Sequence, residues 1–277
     1  MSNNTAYRSR ILMCSPHYFD VKYIINPWME GNIANARTET AKAQWTKLHE
    51  ILSSLAHIEF IEPSDQVPDL VFTANAGLVY RKMFILSNFF HKERSPEEPL
   101  FLEWFKNNQF DCKVLPQEVS FEGAGDALFD RKRKILWAGY GFRTSIDAHS
   151  LLREHIPHEI ISLKLIDERF YHLDTCFCPL TDGFLLYYPH AFSEDSLKII
   201  KENLDKSKLI EVSEQDALAF ACNAVNIERQ VIMNEVSREL KDNLFNLGFT
   251  PHTTPLSEFL KAGGAAKCLT IRLDELE

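Results

Sequence analysis

The apolar positions of this chain come as paired short runs, each pair split by a charged turn and opened by one polar residue. Four segments share the pattern. Asn75 leads AGLVY, RK and MFILS; Asp126 leads ALF, DRKRK and ILWAG; Asp174 leads TCFCPL, TDG and FLLYYP; Asn223 leads AVNI, ERQ and VIMNE. Runs of this length bounded by turn residues predict β-hairpins. The leading residues recur at nearly equal steps, which marks a structural repeat. After each hairpin the period lengthens to that of a helix, over 99–108, 145–156, 193–204 and 237–247. Ser193 and Ser237 stand where N-caps stand, ahead of amphipathic runs. Short strands at 113–115, 160–163, 208–212 and 249–252 close the units.

The amino-terminal stretch is a looser fifth copy. A helix over 38–56 puts Ala41, Trp45, Leu48, Leu52 and Leu55 on one face, and a strand follows at 58–61. A last strand, 267–273, is expected beside this first unit, so that the two ends of the chain seal a ring. Five ββαβ units then make one closed α/β propeller over residues 1–277, a fold with no open sheet edge. In such a ring the polar residue opening each hairpin points to the central cavity. The competing reading is a chance alternation of elements in an ordinary α/β fold.

Composition agrees with a globular enzyme-sized protein. Of 277 residues, 45% are apolar and 25% charged, enough to bury a substantial core. A net charge of −9 argues against nucleic acid as a partner, since phosphate contacts need clustered Lys and Arg. The one basic run, Arg131, Lys132, Arg133 and Lys134, lies between apolar stretches and reads as a charged turn. No run is long enough for a signal peptide or a membrane span, so a cytoplasmic protein without a membrane partner is expected. Cys14, Cys112, Cys176, Cys178, Cys222 and Cys268 form no CxxC pair and are expected as reduced thiols. Cys176 and Cys178 would share a strand face, where packing is a better reading than metal binding.

There is no glycine-rich phosphate loop and no HExxH, which leaves no cofactor and no metal to expect. What remains is a set of polar motifs at strand edges: Phe72 to Asn75, Phe121 to Asp126, Gly139 to Thr144, His172 to Asp174, and Gly263 to Cys268. Each has a plain structural reading. Glu122 and Asp126 suit turns, His172 suits a buried structural role, and Cys268 suits a small hydrophobe in a terminal strand. Together they are the parts of an activated thiol: a Cys after a Gly-Gly turn, a His, and a carboxylate to orient it. Further carboxylates and amides suit a planar cation, which they grip through paired hydrogen bonds.

These motifs resemble the guanidino-group-modifying enzymes, which include arginine deiminase, dimethylarginine dimethylaminohydrolase, the amidinotransferases and the cyanobacterial-type arginine dihydrolases. The likeness runs through MCSPHYFDVKYIINPWM, FTANAG, FEGAGDAL, GYGFRTS, HLDTCFCPL and GGAAKCLTIRL, in the family's order and over nearly the whole chain. It implies the five-unit propeller already read from the repeat. It also implies Cys268 as nucleophile, His172 as general acid and base, and Glu122 as the group that holds His172. By the same resemblance Asp126, Asp174 and Asn75 face the guanidinium, Phe72 packs on its plane, Arg94 and Arg143 bind the α-carboxylate, and Asn26 lies near the α-amino end. The substrate implied is arginine or a methylated arginine, and a homo-oligomer is compatible with it.

FTANAG, FEGAGDAL and HLDTCFCPL look most like arginine dihydrolase, which takes arginine to ornithine, carbon dioxide and ammonia. Asn75 stands where deiminases are expected to carry Asp. A dimethylarginine hydrolase or a deiminase giving citrulline is the alternative, and a non-catalytic propeller that binds a macromolecule is the reading from another class.

Overall fold

The computed structural model describes residues 9–276. The first eight residues, part of the stretch read as lacking a signal peptide, lie outside the described residues, as does Glu277. The chain is a mixed α/β fold, and its described strands form five three-stranded sheets. Strand β1 (Ser9–Cys14) is followed by helix α1 (Thr38–Leu55) and by β2 (Ala56–Ile61), which pairs in parallel with β1. The second sheet is β3 (Gly77–Tyr80), β4 (Met83–Leu86) and, after α2 (Glu98–Asn107), β5 (Asp111–Lys113). The third is β6 (Ala127–Phe129), β7 (Ile135–Tyr140) and, after α3 (Ile146–Leu152), β8 (Glu159–Lys164). The fourth is β9 (Phe177–Pro179), β10 (Leu185–Tyr187) and, after α4 (Glu194–Asn203), β11 (Leu209–Glu211). Helix α5 (Glu214–Leu218) then leads to β12 (Val225–Ile227), β13 (Gln230–Met233), α6 (Arg238–Asn246) and β14 (Thr250–Thr253). After α7 (Ser257–Leu260), β15 (Ile271–Arg272) returns antiparallel to β1.

All the sheets obey one rule: a middle strand is antiparallel to one neighbour and parallel to the other. In four of them the antiparallel pair is a hairpin. In the first it is made by the two ends of the described chain, since Ile11 lies opposite Arg272 and Leu12 opposite Ile271. The helix carries the chain across to the parallel strand, which a tight turn cannot do.

Burial falls along each sheet. Strands β3, β6, β9 and β12 are buried at every residue, whereas β5, β11 and β14 each keep exposed positions. This is why the hairpin strands read as continuous apolar runs rather than alternating ones. Ile11, Leu78, Leu128, Phe177, Val225 and Ile271, from the five sheets, line one space of about 740 Å³. On the other side of the strands the helices cover the sheets. Phe105 of α2 stacks on Phe84 of β4 with ring centroids 3.5 Å apart.

The predicted caps are in place: Ser193 and Ser237 each accept a backbone N–H in the first turn of α4 and α6, and Ser145 does the same for α3. Two expectations need correction. Helices α5 and α7 are too short to impose a period and were not anticipated. The last strand is confined to Ile271–Arg272, and Cys268 stands in a turn instead. The backbone N–H groups of Lys267, Leu269 and Thr270 bond to Asn223, Ala265 and Lys267, so they are not free to form a ladder.

Candidate active site

Three of the residues that open hairpins stand in or beside one-turn 3₁₀ segments just before the inner strands. Asn75 lies within Thr73–Ala76, Asp126 caps Gly123–Gly125, and Asp174 lies within Leu173–Thr175. Asn223 occupies the matching place in a turn before β12. All four are buried, so four amide or carboxylate side chains, unusual in a core, are held together by the repeat itself.

Cys268 reaches this cluster through its turn. Gly263 has φ +80°, a region side-chained residues rarely adopt. A Cβ on Gly264 would lie 2.4 Å from Cε1 of Phe72, so only glycine lets that ring lie against the turn. The Cys268 Sγ is 3.7 Å from Asp174 Oδ2 and 3.1 Å from Asn223 Nδ2. Burial, and after it the Asp174 carboxylate, push the thiol well above its ordinary value. Burial pushes Asp174 itself up to about 7, against the pull of Lys267.

His172 Nε2 lies 2.7 Å from Glu122 Oε2. The same oxygen accepts from Arg143 Nη1 at 3.2 Å. Burial acts to raise the Glu122 carboxyl, but the Arg143 guanidinium and the His172 bond outweigh it and hold the group far below the usual carboxylate range. Asp126 is pushed up to about 6 by burial. Its two oxygens accept from Leu173 N at 2.9 Å and Thr144 Oγ1 at 2.7 Å, which ties down the backbone next to His172.

A smaller cavity of about 260 Å³ opens over Cys268. Asn26, Phe72, Asn75, Arg94, Arg143 and Cys268 line it, so six of the ten anticipated residues share one wall. Glu122, Asp126 and His172 are buried outside that lining, and Asp174 faces the larger space on the inner strands. Arg94 is clamped by Glu97, with Nε and Nη2 each 2.7 Å from one carboxylate oxygen, and donates Nη1 to Asn75 Oδ1 at 2.9 Å. Arg143 stacks 4.4 Å over the Tyr171 ring and donates Nη2 to the Ile25 carbonyl at 2.7 Å. Asn26 donates to the Ala262 carbonyl at 3.1 Å, tying this wall to the nucleophile turn.

Asp69 lines the same cavity and was missed by the sequence reading. One of its oxygens accepts from Tyr23 at 2.8 Å, while Oδ1, though buried, has no hydrogen-bond partner among the described residues. Burial raises this carboxyl, offset in part by Arg94. Its signal in the sequence was faint: one Asp after a Pro, six residues ahead of Asn75. All six cysteines are free thiols. Among the described residues no group of three or more His, Cys, Asp or Glu is placed to hold a metal ion, and no helix is long and apolar enough to cross a membrane.

This geometry, a buried thiol with a His–Glu pair and a rim of paired guanidinium groups, has counterparts among known proteins. Residues 29–274 match the family model for N,N dimethylarginine dimethylhydrolase, eukaryotic. The chain belongs to this family. Within it, the chain is 56% identical over 266 residues to the bifunctional arginine dihydrolase/ornithine cyclodeaminase ArgZ of Synechocystis, covering 96% of this chain and 38% of that protein. It is 35% identical to the N(G),N(G)-dimethylarginine dimethylaminohydrolase of Mycobacterium tuberculosis, over 98% of this chain and 88% of that one. The crystal structure of the N-terminal domain of ArgZ, with a Cys-to-Ser substitution and bound to substrate, superposes with a TM-score of 0.95 at 55% identity, covering 96% of this chain and 98% of that domain. The chain therefore spans under two fifths of the full length of the ArgZ protein, at 38%.

Proposed function

We propose that this chain hydrolyses the guanidinium group of arginine through a covalent intermediate on Cys268, and that it acts as an arginine dihydrolase. The observation that carries the reading is the placement of Cys268 Sγ 3.7 Å from the Asp174 carboxylate, beneath a cavity lined by Asp69, Arg94 and Arg143. Such a site offers anions to a cationic head and guanidinium groups to an α-carboxylate. Likeness to ArgZ, whose name states arginine dihydrolase, supports the same substrate.

The chemistry follows from the charges. Without a cation, burial and Asp174 keep the Cys268 thiol protonated. A bound guanidinium pinned by Asp174, with Phe72 on its plane and Asn26 near the α-amino end, reverses that balance, while Asp126 holds the backbone beside His172. The bound cation favours the thiolate and holds its carbon near the sulfur. The thiol proton passes to His172 as Sγ adds to the carbon, and His172, oriented by Glu122, delivers it to the departing nitrogen, which leaves as ammonia. His172 then takes a proton from water as the water attacks the amidino carbon, which frees Sγ and leaves a ureido group. A second addition and hydrolysis at that carbon releases ornithine, carbon dioxide and another ammonia. Arg94 and Arg143 read the carboxylate, and Asn75, a neutral amide, tolerates both the charged and the ureido head.

The likeness of the five sheets and the single space lined by strands from each support a closed five-unit ring, acting as one domain. Six free thiols agree with a cytoplasmic setting. A second reading, hydrolysis of dimethylarginine to citrulline and dimethylamine, is favoured by the description of the family model. Incubation with arginine and with dimethylarginine, followed by mass identification of products, separates the two. Ornithine with ammonia is expected; citrulline with dimethylamine as the sole products would overturn the dihydrolase reading. Cys268→Ser is expected to abolish turnover and keep the fold, and more than a few per cent of residual activity would refute the covalent route.

A further inference from the structure

Asn223 opens the last hairpin of the repeat, is completely buried, and has no part in the reaction described above. An amide side chain has two donor hydrogens and two acceptor lone pairs. In Asn223 all four are engaged, and all but one at the nucleophile turn. Oδ1 accepts from Cys268 N at 3.1 Å and from Ala265 N at 3.2 Å. Those two backbone donors settle which end of the amide is oxygen. Nδ2 then donates to the Asp174 carbonyl at 3.1 Å and to Cys268 Sγ at 3.1 Å. The Asn223 carbonyl also accepts from Lys267 N at 3.2 Å.

The bond to sulfur differs in kind from the rest. His172 bonds to Glu122, and the acidic neighbour of Sγ is Asp174, which opposes an anion. A donor aimed at Sγ from 3.1 Å strengthens as charge gathers on the sulfur, because hydrogen bonds to ionised groups are the stronger ones. Two of the equivalent positions in the repeat show the contrast, and the third, the amide of Asn75, accepts from Arg94 instead. Asp126 and Asp174 accept hydrogen bonds or stand ready to meet a cation, whereas position 223 must donate toward a forming anion, and there the residue is an amide.

We infer that Asn223 is a further catalytic residue of this site, holding Cys268 Sγ in place and stabilising the thiolate as it forms. The inference rests on the reading of Cys268 as nucleophile. It is tested on the whole protein by the pH dependence of iodoacetamide alkylation at Cys268, followed by the mass of its peptide, in wild type, Asn223→Ala and Asn223→Asp. Kinetics with arginine and the thermal midpoint are measured on the same proteins. Loss of the donor should move the alkylation midpoint up by about one to two pH units. It should also lower kcat roughly 10- to 100-fold, with KM within about threefold. Asn223→Asp keeps both acceptor bonds to the turn and so carries the test if the alanine variant does not fold. A folded variant whose alkylation midpoint matches wild type overturns the proposal and leaves Asn223 a structural tie. The nucleophile reading fails separately: wild type fully alkylated at Cys268 that still consumes arginine would remove it, whatever the variants do.

Discussion

Glu122 Oε2 lies 2.7 Å from His172 Nε2 and shares that oxygen with Arg143, so one buried carboxylate orients an imidazole and neutralises a guanidinium at once. The two tasks are linked: the cation that keeps Glu122 ionised also secures an acceptor for the His172 ring.

Glu122→Gln should separate these tasks. The amide can still touch His172 but cannot hold a charged imidazole, and kcat for arginine should fall about 100-fold with a small change in KM. The sign of the pH effect follows from the lowered carboxyl. Its stabilisation is complete above the ordinary value of 4.5 and is lost as pH falls toward its depressed folded value. Thermal melts of wild type should therefore drop on acidification below that point more steeply than those of Glu122→Gln. Parallel melts would count against an ionised Glu122.

Asp174→Asn probes the opposite case. Asp174 is held up to about 7 from 3.8, so between those values the folded protein keeps a proton that the unfolded chain has released. Stability contributed by this group thus falls as pH rises through the window. The thermal midpoint of Asp174→Asn should gain on wild type from pH 4 to pH 7 and then run parallel to it. A constant offset over that range would mean Asp174 is already ionised at low pH. Arginine turnover should be lost in the variant, since the guanidinium loses its anion.

Asn75→Asp bears on the number of hydrolytic steps. A carboxylate holds a cation tightly and a ureido group less well, so the variant should release more citrulline relative to ornithine while arginine is still consumed in part. Asn75 also accepts from Arg94, a bond that Asp preserves. An unchanged product ratio would reduce Asn75 to a turn residue, for which Asp serves as well.

Gly264→Ala tests the wall rather than the chemistry. The added Cβ meets the Phe72 ring at 2.4 Å, so ring or turn must shift. A cost of about 1–3 kcal/mol is expected from overpacking. Arginine kcat/KM should fall at least about tenfold, as small displacements of the nucleophile cost rate steeply. Wild-type kinetics in a folded variant would show that the contact does not set the position of Cys268.

The sequence by itself determined the elements and their repetition. Inner strands buried on both faces read as unbroken apolar runs, the serine caps mark the helices, and the spacing of Asn75, Asp126, Asp174 and Asn223 shows the repeat. Motif likeness then named Cys268, His172 and Glu122 without any view of their distances. Tertiary structure alone decided which partners those groups take, Glu122 for His172 and Asn223 with Asp174 for Cys268. The turn holding Cys268 is not a strand because its N–H groups find partners at Asn223 and in the turn itself, and Asn223 is 45 positions away from Cys268. Asp69 joined the site for the same reason: its neighbours Tyr23 and Arg94 come from distant segments, and a single acid carries no periodic signal. Local patterning reports which face of an element is buried, whereas hydrogen bonds between remote segments choose which buried polar atom stands beside the sulfur.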